Sequence, residues 1–513
     1  MNCRRCLRLV MLALIPITAI SLGLDSTRAQ TPAQSPAPAP SAAAPAESPT
    51  PAPAPAATPA PTTSPSAAPS TPPAAAETQQ PSPGAQVRTG TSSGLDTDAR
   101  LENLLADHEF LVLESQLDQL PAEQAQLYRG LLANRSNDLD KSISLLEPLV
   151  DKVTASGNLG QEKLVRKALA EDYLRSGDLA KAAKAYQALD ARMQGHLSSD
   201  EADEIEMPLK LLPLALENPP MTVEPCDPFR LQVSRNPLGL TDIPVYVDAR
   251  PHTWMLDPTA PFNLISRSLA KEAGLKVSLE PTTIRTLTGK PIPMYVTVIP
   301  RFTIGGRLTL RNMTVFVYDD ADYYFPKSHY QVEGVLGYPA LAALGRLTVT
   351  SNSTVEVRPV KQILPAERDD LLTEGARFFL DGDQVIVALG KGGAANPKAG
   401  EERMFVVDAA GQQTYLTARY YDEHSGDFAG QKMALLPIPG EPAMDQQPAY
   451  IAENIPLTVG ATTIKVHYIQ VLTQSLGKAA LDDVYGVLGV DVLDQLKEYT
   501  FDYRTMRFAV RTE

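Results

Sequence analysis

The chain has 513 residues, several times the size of a typical domain, so more than one folding unit is expected. Its formal net charge of −14 disfavours nucleic acid or anionic lipid as the main partner. Its three cysteines (Cys3, Cys6, Cys226) and six scattered histidines offer neither a disulfide framework nor a Cys/His metal site, so no metal is expected.

Arg4, Arg5 and Arg8 precede an apolar stretch from Leu9 to Leu24, and Thr27-Arg28-Ala29 places small residues where a signal peptidase cuts. Residues 1–29 therefore read as a secretory leader, which implies a bacterial periplasmic or secreted protein. An uncleaved membrane anchor is the alternative, although the stretch is short for a spanning helix. Residues 30–95 follow as a Pro/Ala-rich linker. Between Thr31 and Gln86, proline and alanine occupy 35 of 56 positions, too little apolar bulk for a core, so this stretch is expected to be a disordered, extended spacer.

Residues 96–224 read as helical up to about His196, with Leu101, Leu104 and Leu105, then Leu127, Leu131 and Leu132, then Ile143, Leu146 and Leu149 at helical spacing. Ser136-Asn137-Asp138 and Ser176-Gly177-Asp178 mark loops 40 residues apart. Around them Gly130 matches Ala170, Ala133 matches Tyr173, Ser142 matches Ala182 and Leu146 matches Tyr186. This resembles tetratricopeptide-type helical hairpins, although the 40-residue spacing departs from the usual 34. The resemblance implies either a packed helical spacer or a groove for a protein partner. Pro208, Pro213, Pro219 and Pro220 are expected to break the helices.

From about Pro225 onward β-branched and aromatic alternation dominates, as in Ile243–Val247, Thr309–Tyr318 and Tyr499–Val510. This mainly-β region repeats itself. Trp254-Met255-Leu256-Asp257 and Phe405-Val406-Val407-Asp408 are apolar strands ending on an aspartate. Gly334-Val335-Leu336-Gly337 and Gly486-Val487-Leu488-Gly489 follow at an offset of 152, while the aspartates are offset by 151. Two elements recurring in order are a stronger signal than either alone.

The repeated pattern resembles the retropepsin/pepsin aspartic-protease family, as two lobes at 225–365 and 366–513. The resemblance implies a multidomain chain in which an all-α segment precedes a two-lobed, mainly-β body. By position, Asp257 and Asp408 match the family's catalytic pair, and the two Leu-Gly segments match those that pack beneath it. The family folds hairpin flaps over an extended peptide; Thr288 and Gly289, and Pro439 and Gly440, fall where those flaps would turn. No cofactor is implied, and no phosphate loop, dinucleotide motif or Gly-x-Ser-x-Gly competes with this reading.

The departures fall on the chemistry. The family follows each aspartate with a hydroxyl and then a glycine, whereas here the loops read Asp257-Pro258-Thr259-Ala260 and Asp408-Ala409-Ala410-Gly411. Pro258 has neither hydroxyl nor N–H. On an extended backbone the Thr259 hydroxyl would face away, and Gly411 arrives one residue late. The expectation is therefore a degenerate aspartic-protease-like module that binds a peptide or protein and cuts it weakly or not at all. An active endopeptidase using Asp257 and Asp408 is the alternative, and a helical-repeat scaffold on a structural β body is a third reading.

Overall fold

Local capping signals set the helices of the N-terminal region. The computed structural model describes residues 92–285, 291–359, 365–382, 384–390, 400–437, 446–475 and 483–512. Eight α-helices run from α1 (Ser92–Ala106) through α2 (Phe110–Gln116), α3 (Ala122–Arg135), α4 (Leu139–Leu146), α5 (Val150–Ser156), α6 (Leu159–Ser176) and α7 (Leu179–Met193) to α8 (Ser199–Leu216). Asn158 and Asp178 accept the N–H groups of Gln161 and Lys181 at the starts of α6 and α7. Gly177, at φ +81°, closes α6 in the left-handed conformation that glycine adopts freely. The expected loops at 136–138 and 176–178 thus fall between α3 and α4 and between α6 and α7. Ala170 and Ala182 are fully buried.

Two of the expected helix breaks do not occur. Pro208 and Pro213 lie inside α8, which ends only before Pro219. A capping box secures its start: Ser198 Oγ accepts the Glu201 N–H at 3.2 Å, and the Glu201 carboxylate accepts the Ser198 N–H at 2.8 Å. Burial of Ile205, Leu212 and Ala215 then outweighs the backbone hydrogen bonds that the prolines forgo.

The mainly-β region uses one pairing scheme twice. In its first half, strand Arg250–Leu256 pairs antiparallel with Thr241–Val247 and parallel with Gly334–Leu336. The latter also pairs antiparallel with Leu264–Ser266, which runs parallel to Leu308–Tyr318. In the second half, Glu402–Val407 pairs antiparallel with Gln384–Gly390 and parallel with Gly486–Leu488. Gly486–Leu488 pairs antiparallel with Tyr415–Leu416, which runs parallel to Thr462–Leu472. The halves join where Arg346–Thr350 pairs antiparallel with Glu498–Asp502. That seam carries a buried Arg346–Asp502 ion pair at 3.0 Å and a Thr348–Thr500 hydroxyl contact at 2.8 Å.

Alternation along the second-half strands explains how the helices attach. Met404 and Val406 join the helical core with Leu131, Val165 and Tyr186, while Phe405 and Val407 point into the core shared by the two β halves. Ile386 and Ala388 divide from Val385, Val387 and Leu389 in the same way. Both faces of these strands are buried, so their sequences read as continuous apolar runs. A polar cluster adds to the junction: His108 Nε2 meets Asp381 Oδ2 at 2.9 Å, and Arg135 Nη2 meets Asp381 Oδ1 at 3.1 Å. The described residues from Gly94 onward accordingly belong to one compact unit.

Candidate active site

Each aspartate sits where a buried strand ends against the central Gly-Val-Leu strand. The Asp257 N–H donates to the Leu336 carbonyl at 3.1 Å, and the Asp408 N–H to the Leu488 carbonyl at 2.8 Å. A tight turn follows in both places, closed by Ala260 N–H to the Asp257 carbonyl and by Gly411 N–H to the Asp408 carbonyl, each at 3.2 Å. The turn carbonyls of Ala260 and Gly411 then accept the N–H groups of Tyr338 and Val490, both at 2.7 Å. The two loops are thus built by equivalent hydrogen bonds at an offset of 151 to 152 residues.

These turns supply donors that the sequence reading expected to be absent. Because the chain turns at Pro258–Thr259 instead of extending, the Thr259 hydroxyl swings back to Asp257 Oδ1 at 2.9 Å. The same oxygen accepts the N–H groups of Thr259 and Ala260, each at 3.1 Å. At the second loop, the Ala410 and Gly411 N–H groups reach Asp408 Oδ1 at 3.0 and 2.7 Å. The extra residue before Gly411 is absorbed by the turn. The second loop still carries no hydroxyl directed at its aspartate.

Beneath the loops, Gly337 donates its N–H to Asn263 Oδ1 at 3.0 Å, and Gly489 donates to Thr414 Oγ1 at 2.8 Å. Thr414 Oγ1 in turn donates to Asp491 Oδ1 at 2.7 Å. Neither glycine has room for a side chain. A Cβ on Gly337 would overlap the Phe262 carbonyl oxygen, and one on Gly489 would overlap the Gln413 backbone. Asn263 and Thr414 escaped the sequence reading, although both are hydrogen-bonding residues six positions after their aspartates.

The charge of Asp257 is felt at Asp408. Burial and then the charge of Asp257 push Asp408 up to about 7, against the opposing pull of the Gly411 and Ala410 N–H groups. Asp257 is 2% exposed, and burial raises its carboxyl in spite of the Thr259 and Ala260 donors. A pair of this kind holds a proton at a pH where an ordinary aspartic acid has lost it.

Two hydrogen bonds cross between the halves at the loops. The Tyr503 hydroxyl donates to the Pro258 carbonyl at 3.1 Å, and Gln412 Nε2 donates to the Leu238 carbonyl at 2.6 Å. Thr288, Gly289, Pro439 and Gly440 lie outside the described residues. The strands on either side of them do pair: Arg285 opposes Pro291, and Pro437 opposes Gln446. Among the described residues no three His, Cys, Asp or Glu side chains gather as a metal site. A cavity of about 330 Å³, lined by Arg230, Arg358, Glu374, Glu498 and Arg511 among others, lies on the joining sheet and includes neither aspartate. Several of its charges pair off, as in Arg230 with Glu356 and Arg511 with Glu498.

Comparison with known proteins bears on one stretch of this region. A family model described as aspartyl protease matches residues 243–340, so this stretch is an aspartic-protease-like domain. Among solved structures, the chain is similar to conglutin gamma, a basic 7S globulin from lupine seeds, at 11% identity over 56% of this chain and 96% of that one, with a TM-score of 0.35. It is similar to a retropepsin-like aspartic protease from Rickettsia conorii at 16% identity over 26% and 94%, with a TM-score of 0.19. Basic 7S globulin from soybean aligns at 10% identity over 56% and 97%, with a TM-score of 0.34. No curated protein matches the chain.

Proposed function

We propose that residues 222–512 act as a two-lobed aspartic-peptidase-type body that takes an extended peptide or protein segment across Asp257 and Asp408. The observation that carries this is the pair itself: two equivalent loops, each aiming backbone N–H groups at its carboxylate, with Asp408 raised to about 7 partly by the charge of Asp257. One ionised carboxylate takes a proton from water as the water attacks the scissile carbonyl. The protonated partner donates its proton to the carbonyl oxygen, giving a tetrahedral diol that collapses to acid and amine.

A second reading, a peptide-binding module without hydrolysis, is favoured by Pro258 and Ala409. Neither carries a hydroxyl beside its aspartate, and Asp408 accepts N–H donors only. Strand and flap backbones hold an extended peptide through main-chain hydrogen bonds, which do not need the dyad. In either case the leader suggests export, the Pro/Ala segment a spacer, and α3–α7 tetratricopeptide-type hairpins available to a protein partner.

Incubation of the full chain with an unfolded protein between about pH 3 and 7, the range in which such dyads titrate, separates the two readings. Cleavage that is abolished by both Asp257→Asn and Asp408→Asn supports the peptidase. Binding without cleavage supports the module, and neither binding nor cleavage sinks both.

A further inference from the structure

The backbone of the Asp257 loop presents two carbonyls away from its carboxylate, and both are taken by neighbouring tyrosines. The Ala260 carbonyl accepts the backbone N–H of Tyr338, which belongs to the same half of the β region. The Pro258 carbonyl accepts the Tyr503 hydroxyl, which comes from the other half. Pro258 has no N–H, so this carbonyl is its one polar backbone group.

Tyr503 is itself held rigidly. It is 2% exposed and lies at the turn between strands Glu498–Asp502 and Arg507–Arg511. Its N–H donates to the Gly345 carbonyl at 3.0 Å. Its ring stacks on Phe501 at 5.9 Å and meets Tyr338 edge-on at 5.5 Å and Phe378 edge-on at 6.0 Å. The two tyrosine rings therefore touch each other directly beneath the loop that carries Asp257.

We infer that Tyr503 is a positioning residue for Asp257: its hydroxyl fixes the Asp257 loop to the opposite half of the body and so sets how closely the two carboxyls face each other. The hydrogen bonds within the loop orient the Asp257 carboxylate relative to its own turn, whereas the bond to Tyr503 ties that turn to the half that carries Asp408. Loss of the hydroxyl leaves the ring packing intact and the Pro258 carbonyl buried without its donor. The loop then relaxes toward water, and the raising of Asp408 by the charge of Asp257 weakens. This inference rests on the shared-proton reading of Asp257 and Asp408.

The experiment compares full-length wild type with Tyr503→Phe, and uses Tyr186→Phe as a control that removes another buried phenol hydroxyl, in helix α7. Two quantities are read: the Asp408 titration by carboxyl NMR with labelled aspartate, and the pH profile of kcat and KM on an unfolded-protein substrate. In Tyr503→Phe the Asp408 titration is expected to fall by a unit or more from its wild-type position. The kcat is expected to fall at least tenfold with KM within twofold, while Tyr186→Phe matches wild type in both.

A folded Tyr503→Phe with unchanged titration and kcat overturns the inference and leaves the peptidase reading standing. Tyr503→Phe that fails to fold while Tyr186→Phe folds also overturns it, because the hydroxyl then serves the fold and not the position of one loop. If wild type cuts nothing but Tyr503→Phe still lowers the Asp408 titration, the positioning role stands and the peptidase reading falls.

Discussion

Asn263 and Thr414 perform the same task in the two β halves with different chemistry: an amide oxygen accepts the Gly337 N–H at 3.0 Å, and a hydroxyl oxygen accepts the Gly489 N–H at 2.8 Å. Both anchor the glycine that follows the central strand, and through it the loop above. The isosteric Thr414→Val is therefore expected to leave a buried N–H unpaired and to cost about 1–3 kcal/mol. Asn263→Leu should cost a similar amount. Urea unfolding of the full chain measures both, and a loss under about 0.5 kcal/mol in either would show that the glycine finds another acceptor.

The two glycines themselves should tolerate no side chain. Gly337→Ala and Gly489→Ala each drive a methyl group into backbone atoms that cannot rotate away. Overpacking of this kind costs about 1–3 kcal/mol, with the upper end expected here because the obstacle is main chain. The check is the urea midpoint of each variant, with Gly426→Ala as a comparison at a site where no atom lies within 4 Å of the added methyl.

Stability should depend on pH through Asp408. Its folded carboxyl is raised from 3.8 to about 7, so between those values the folded chain keeps a proton that the unfolded chain has lost. Stability contributed by this group is fully present below about pH 4 and is lost as pH rises toward 7. Asp257, also raised, acts in the same direction. Denaturation midpoints measured across pH 4–8 should thus decline less steeply in Asp408→Asn than in wild type. Parallel profiles for the two proteins would show that Asp408 titrates normally.

The helical and β regions should unfold together. Strand Glu402–Val407 contributes alternate residues to both cores, and Asp381 is bonded to both His108 and Arg135. The chain has a single tryptophan, Trp254, buried in the β core and not in the helical one, so its fluorescence reports on the β region. Helical circular dichroism and Trp254 fluorescence are expected to give one common midpoint. Asp381→Ala should lower both by the same amount, on the order of 3 kcal/mol, because it removes the buried carboxylate that both Arg135 and His108 Nε2 meet. Two separate midpoints would show that the helices fold independently.

Much of this was legible in the sequence, and the reasons differ by feature. The repeat of Asp257 and Asp408 with their Leu-Gly segments stood out because a strand buried on both faces permits few residue types. The loop donors did not stand out, because motif order assumes a fixed backbone path and a one-residue shift is absorbed by a turn: Thr259 and Gly411 reach their carboxylates from positions that look wrong on paper. Helix α8 was misread because proline is a local signal, whereas the burial that sustains the helix is tertiary. Tyr503 carried no local mark, since its role depends on a partner far away in the chain.

The shared core of the helices also bears on how the polypeptide comes together as it is made. The apolar face of α1–α8 is complete once Leu212 has emerged from the ribosome, yet the strands that cover it contribute residues from Phe379 as far as Val487. The first β half is synthesised in between. The nascent helices therefore wait with leucine, valine and tyrosine uncovered until residues 379–487 have been made, and the contacts that close them span long stretches of sequence. Contacts of this kind form slowly, and the exposed intermediate is prone to associate with other chains. Folding of this protein should consequently be limited by arrival of the strands between Phe379 and Val487.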